Sequence, residues 1–239
     1  MLNLMKLELK RNNVKTYIIE SGVTGLIMLG FIYLFAYAPR IDPDPDMQIF
    51  AGYNNIISLF SMLNMAVFAT LSAIMYTRFI IDEYREKRAI LLFSYPINRD
   101  KILFSKLTVV FLFTITAMTV CNLLTFGIFG VSESIVPLVD GILSAQTMLR
   151  ALKVTIIMAI TAAELGIIAT GIGFIKKSVP TTIVSAVLLS SLFCNIMFNA
   201  TNDINKSDMA SITFMGITVI AGLAITLILM KKVNNMEVV

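Results

Sequence analysis

The sequence predicts an all-α integral membrane protein, with six transmembrane helices and both termini in the cytoplasm. Three observations carry this. The 239 residues are 57% hydrophobic and only 14% charged, with a mean hydropathy of +0.85. A soluble domain is nearer a quarter charged. The apolar residues fall into six runs of roughly 20 residues, each long enough to cross about 30 Å of hydrocarbon as a helix. The basic residues lie almost wholly to one side of those runs.

The spans are read as 17–37, 56–79, 107–130, 154–175, 179–198 and 212–230, within one domain covering 1–239. None alternates with period two, as a barrel strand would. A helix satisfies its own backbone groups in lipid, so helices are expected. Before the first span, MLNLMKLELKRNN has no small-residue cleavage site and does not read as a signal peptide. Between the fourth and fifth spans stand only Lys176, Lys177 and Ser178, a tight turn at the membrane surface. Pro180 then occupies the first turn of the fifth helix, where a missing N–H costs nothing. Trp is absent, so an interfacial belt rests on Tyr17, Tyr33, Tyr37, Tyr53 and Tyr76.

With the N-terminus inside, the inner segments hold Lys6, Lys10, Arg11, Lys15, Arg78, Arg85, Lys87, Arg88, Arg99, Lys101, Lys106, Lys176, Lys177, Lys231 and Lys232. Only Arg40, Arg150, Lys153 and Lys206 remain outside. That excess sets the orientation. The outer segments are acidic, with Asp42, Asp44, Asp46, Glu133, Asp140, Asp203 and Asp208. Arg150 and Lys153 interrupt this pattern. They read either as an amphipathic stretch in the outer interface, with Met148, Leu149 and Leu152, or as snorkelling side chains at a helix end.

The chain contains no histidine, which excludes imidazole metal sites and His-based triads. Cys121 and Cys194 lie in apolar runs without CxxC spacing and read as buried free thiols. GIGFIKKS lacks the second glycine of a phosphate loop and leaves a membrane helix instead of following a strand, so no ATP site is visible. Asn199-Ala200-Thr201 and Asn205-Lys206-Ser207 fit the short glycosylation pattern, which is common by chance.

The longest inner loop, residues 80–106, concentrates charge. Asp82, Glu83 and Glu86 stand at helical spacing from Arg85, Lys87 and Arg88, which predicts a short solvated helix continuing the second span. Ala89 to Phe93 are then apolar, although the loop faces water. Pro96 disfavours helix at Tyr95, and Asn98 is placed to cap a helix leading from Arg99 into the third span. A solvated loop that merely obeys the charge rule is the plain reading. An apolar run flanked by charge asks instead for a groove on a soluble partner.

The loop pattern E-x-R-x-K-R-x-x-x-L-x-x-S-Y-P-I-x-R-x-K-I-x-x-S-K, from Glu83 to Lys106, resembles the permease subunits of type-2 ATP-binding-cassette (ABC-2) exporters. The resemblance covers the whole chain in topology and this loop in motif. It implies a coupling helix that docks on a nucleotide-binding subunit through Glu83, Arg85, Glu86, Lys87, Arg88, Leu91, Leu92, Tyr95, Pro96 and Arg99. It also implies an amphipathic interface helix over residues 1–15, consistent with Leu2, Met5 and Leu9 on one face and Lys6 and Lys10 off it. The short link from Asn199 to Ser211 leaves no room for a large outer domain. The expected assembly is two permease protomers, identical or paired with a similar chain, and cytoplasmic ABC ATPase subunits in a bacterial plasma membrane. This chain is expected to bind no cofactor and no nucleic acid, with ATP and Mg on the partner subunit.

Glu164, near the middle of the fourth span, is the costliest side chain for lipid and marks function by default. It reads as a contact for a cationic substrate or as a gate. The structural alternative is a protonated carboxyl bonded to a neighbouring helix through Asn64, Asn122 or Asn195. These four are the substrate-pathway candidates. The cargo expected from apolar, Met-bearing helices is amphipathic or hydrophobic, such as an antimicrobial peptide or a drug. Rival classes are an ion-coupled transporter using Glu164, an intramembrane enzyme, and a membrane scaffold. The first would need several intramembrane carboxylates and broken helices. The second lacks His and a paired Asp in the spans.

Overall fold

A computed structural model describes residues 2–41, 52–84, 98–139, 144–200 and 204–235. Among them are seven α-helices: α1 (Leu2–Arg11), α2 (Val14–Ile41), α3 (Tyr53–Tyr76), α4 (Arg99–Ile135), α5 (Ala145–Lys176), α6 (Val179–Ala200) and α7 (Ile204–Asn234). A π-helical turn, Thr77–Ile81, prolongs α3. The last six helices are each long and apolar enough to cross a membrane. The expected second span, 56–79, runs from α3 into the π-helical turn, and the other five lie within α2, α4, α5, α6 and α7. At 37 residues, α4 is about 55 Å long and overreaches the hydrocarbon.

Local chemistry sets the boundaries. The Ser144 hydroxyl accepts the Thr147 N–H at 3.2 Å and caps α5. At the other end Lys177 adopts a left-handed φ of 47°. The Ser178 N–H reaches back to the Gly173 carbonyl at 3.1 Å, closing the turn expected there. Pro180 lies in the first turn of α6. Asn98 does precede α4, but its side chain makes no cap bond. Its carbonyl instead accepts the Lys101 N–H at 3.0 Å.

Helices α3 and α5 form the centre. The first packs on α2, α4, α5 and α6, and the second on α3, α4, α6 and α7. Between helices in lipid there is little hydrophobic driving force, so close packing must hold them. Small residues permit it. A Cβ at Gly166 would lie 1.8 Å from the Ser72 hydroxyl oxygen of α3, and one at Gly173 would lie 1.8 Å from that of Thr182 in α6. Ala73, Ala169 and Ala186 meet where α3, α5 and α6 converge. The outer faces of α2 and α7 are apolar and open, with Leu26 72% and Ile220 71% exposed. Such faces suit lipid, not water.

Some of the polar groups inside the bundle bond across helices. Asn64 of α3 donates to the Asn122 carbonyl oxygen of α4, and Asn122 donates to the Thr155 hydroxyl of α5 at 3.2 Å. Arg150 and Lys153 both stand near the start of α5 and share one acid. Residues 145–176 are one unbroken helix, and both cations pair with Asp208 of α7, at 3.3 and 2.9 Å. Glu133 is not a loop acid. It lies in α4, buried, and accepts the Leu138 N–H at 2.7 Å and the Tyr53 hydroxyl at 2.8 Å. Those bonds tie α3 and α4 to the chain that leaves α4.

Candidate functional site

The ends of α1, α3, α4, α5 and α7 converge around the exit of α3 at Tyr84 and the start of α4 at Arg99. At their centre is Lys106, which has no exposed surface. A buried ammonium requires anions and acceptors. Its Nζ donates to the Phe79 carbonyl at 2.9 Å and pairs with Glu83, and it stands 3.7 Å from Glu8. Arg11 bridges the same two acids, pairing with Glu83 and with Glu8 at 3.1 Å. Asn12 adds an amide donor to Glu8 at 3.3 Å. Two acids and two bases thus join α1, the exit of α3 and the start of α4.

The π-helical turn makes this geometry. Its wide hydrogen bond runs from the Asp82 N–H to the Thr77 carbonyl at 2.9 Å. Within the turn, the Phe79 carbonyl faces the Lys106 ammonium. The turn then delivers Glu83 to the cluster and Tyr84 to the core. π-Turns recur at functional sites because they re-aim side chains in this way. The Tyr84 ring is buried and stands edge-on to Phe174 at the end of α5, with centroids 5.7 Å apart. The Lys232 ammonium lies 5.9 Å from the Phe174 ring centre, and Asn234 donates to Asp100 at 2.6 Å. So α7 joins the same end.

Burial lifts the Glu8 carboxyl above its ordinary value of 4.5, against the opposing pull of Lys106 and Arg11. Burial likewise raises the Tyr84 phenol. On α1 it is Glu8 that turns to the bundle, while the expected interface residue Leu9 stays exposed. Part of Met5 also faces the bundle, and Leu7 (63% exposed) points away. Of the residues expected in the docking loop, Glu83 sits in the charge cluster and Arg99 opens α4. Arg85, Glu86, Lys87, Arg88, Leu91, Leu92, Tyr95 and Pro96 lie outside the described residues. Glu8 was missed by sequence reasoning. The signal for it was one acid at i−3 from Arg11 in an otherwise basic segment.

The pathway candidates separate into two places. Asn64 and Asn122 are bonded to each other in the core, and Asn195 is exposed on α6. Glu164 meets none of them. Its carboxyl rests against α7 at Gly222, where a Cβ would come within 1.7 Å of Oε2. That oxygen is buried and has no hydrogen-bond partner among the described residues. No group of His, Cys, Asp or Glu among the described residues is arranged to hold a metal ion.

The model of the ABC-2 family transporter proteins matches residues 5–191, from α1 into α6 and across the whole loop. The chain belongs to the ABC-2 transporter family. Over 191 residues it is 28% identical to the uncharacterized protein YcbO of Bacillus subtilis strain 168, spanning 80% of this chain and 82% of that one. No solved structure matches it. An ABC-2 membrane component is a multi-pass transport subunit.

Proposed function

We propose that this chain is the membrane-spanning permease subunit of an ATP-driven exporter in the bacterial cytoplasmic membrane. Two permease protomers form the pathway, and two cytoplasmic ABC ATPase subunits, which carry the ATP and Mg, dock on the loop from Glu83 to Lys101. The end of the bundle bearing that loop faces the cytoplasm, as do both termini. ATP binding draws the ATPases together, and the docked loops pass that motion to the helices as a rigid-body shift.

The observation that carries this reading is the buried Lys106 cluster. A loop that only connected two spans would need no buried charge at its root. Here both stems of the loop are fixed to one another and to α1, so a push on the loop is delivered to α3 and α4 together. Further contacts through Tyr84–Phe174 and Asp100–Asn234 extend it to α5 and α7.

The cargo proposed is amphipathic or hydrophobic, of the antimicrobial-peptide or drug class, with Glu164 in its path. The test is co-purification of the chain with its cognate ABC ATPase. Arg85→Glu, Arg88→Glu and Arg99→Glu together are expected to abolish the complex while the chain stays folded. Retained ATPase binding in the triple variant removes the docking role from this loop.

A further inference from the structure

Glu164 lines a cavity of about 290 Å³ between α4, α5 and α7. The walls are apolar: Phe104, Leu107, Phe111 and Leu112 of α4, Ile167 of α5 and Leu223 of α7. Phe104 is 42% and Leu223 60% exposed, so the cavity opens sideways on the bundle's lipid-facing surface. Glu164 as a residue is only 6% exposed, and its buried Oε2 has no donor among the described residues. Gly222 leaves the space that the carboxyl fills, and Thr226, one turn further along α7, adds a hydroxyl to the lining.

From this we infer that the groove is a lateral binding site for a small lipophilic amine, held by a charge-assisted N–H bond to Glu164. The chemistry selects that class. A buried carboxyl lacking a donor favours a ligand that brings one. The aromatic and aliphatic walls favour an apolar body. The volume is at the small end of ligand pockets, which suits one or two rings and not a peptide. Glu164 lies twelve residues before Lys176, about 18 Å along α5 and so near the middle of the bilayer. The α4 wall runs from there towards Phe104, only five residues into that helix. A ligand already dissolved in the half of the bilayer nearer the loop reaches the groove without crossing water. This rests on the permease reading for the meaning of the site as a cargo entrance, but the binding itself does not.

The test uses the full chain in phosphatidylcholine nanodiscs and a matched pair of photoprobes, trifluoromethyl-diazirinyl benzylamine and the corresponding benzyl alcohol. Mass spectrometry of the labelled peptides is expected to place the amine on Phe104–Leu112 and Leu223–Thr226, in excess over the alcohol. Glu164→Gln is expected to cut amine labelling there about tenfold or more and leave alcohol labelling unchanged. Thr226→Phe fills the groove while keeping the carboxyl, and is expected to cut both. Equal labelling by amine and alcohol in the unsubstituted chain, or amine labelling that survives Glu164→Gln, overturns the proposal. If Glu164→Gln does not fold, unchanged amine labelling in Thr226→Phe overturns it equally. ATPase co-purification does not depend on any of these outcomes, so failure here leaves the docking reading standing.

Discussion

Lys106 shows how one side chain can fix the ends of several helices. An ammonium without solvent is tolerable only while Glu83, Glu8 and the Phe79 carbonyl surround it. Lys106→Met removes the cation and leaves two acids facing each other with Arg11 alone between them. This is expected to destabilise the chain by about 3–5 kcal/mol, the usual cost of breaking a buried pair. Adding Glu83→Gln to the same chain is expected to restore part of that loss. Thermal unfolding in detergent measures both, and an unchanged midpoint in Lys106→Met would show that the cluster holds nothing. In the sequence Lys106 counted as one more inner base and as the last residue of the loop pattern. Its neighbours in space come from α1 and from the exit of α3, and no local pattern announces that meeting.

Among the elements, α3 and α5 pack most extensively, and the contact depends on the missing side chain at Gly166. With a Cβ there, the Ser72 oxygen would stand at 1.8 Å and the Ser72 Cβ at 2.9 Å. One of the two helices would have to shift. Gly166→Ala is therefore expected to cost about 1–3 kcal/mol by overpacking. Ser72→Gly in the same chain is expected to return much of it, because it removes both clashing atoms. A thermal-shift series on the two single variants and the double variant tests this; additive losses would mean the helices are not packed as described. The helix ends were legible in the sequence wherever a residue type acts locally, as at Ser178 and Pro180. They were not legible at α1. Its stripe of Leu2, Met5 and Leu9 spoke only for an interface face, and nothing in it announced that Glu8 would be the buried position, chosen by a base on another helix.

At the scale of the whole molecule, α1, the exit of α3, the start of α4, the α5–α6 turn and the end of α7 lie at one end of the bundle. The Tyr53–Glu133 bond and the Arg150–Asp208 pair lie at the other. The charge rule assigns the first end to the cytoplasm. In a chain with Cys121 and Cys194 replaced, a single cysteine at the exposed position Lys101 is expected to resist an impermeant maleimide added to intact cells. One at the exposed position Asn199 is expected to react. The reverse pattern would place the loop outside and remove the ATPase from reach. The family match covers the loop and both its stems.

What the sequence determined by itself was the class of molecule: six apolar spans and a charge bias are properties of composition and order, and lipid enforces them one segment at a time. It also marked the loop and Glu164, because charge in the wrong medium is visible without coordinates. The partners of those charges were decided only by tertiary structure. Glu8 meeting Lys106, Asp208 meeting Arg150, and Glu164 resting on Gly222 instead of bonding to Asn64, Asn122 or Asn195 each depend on how separate helices rotate against one another. That rotation is set by close packing at small residues such as Gly166 and Gly173, which leaves only a faint trace in any single stretch of chain.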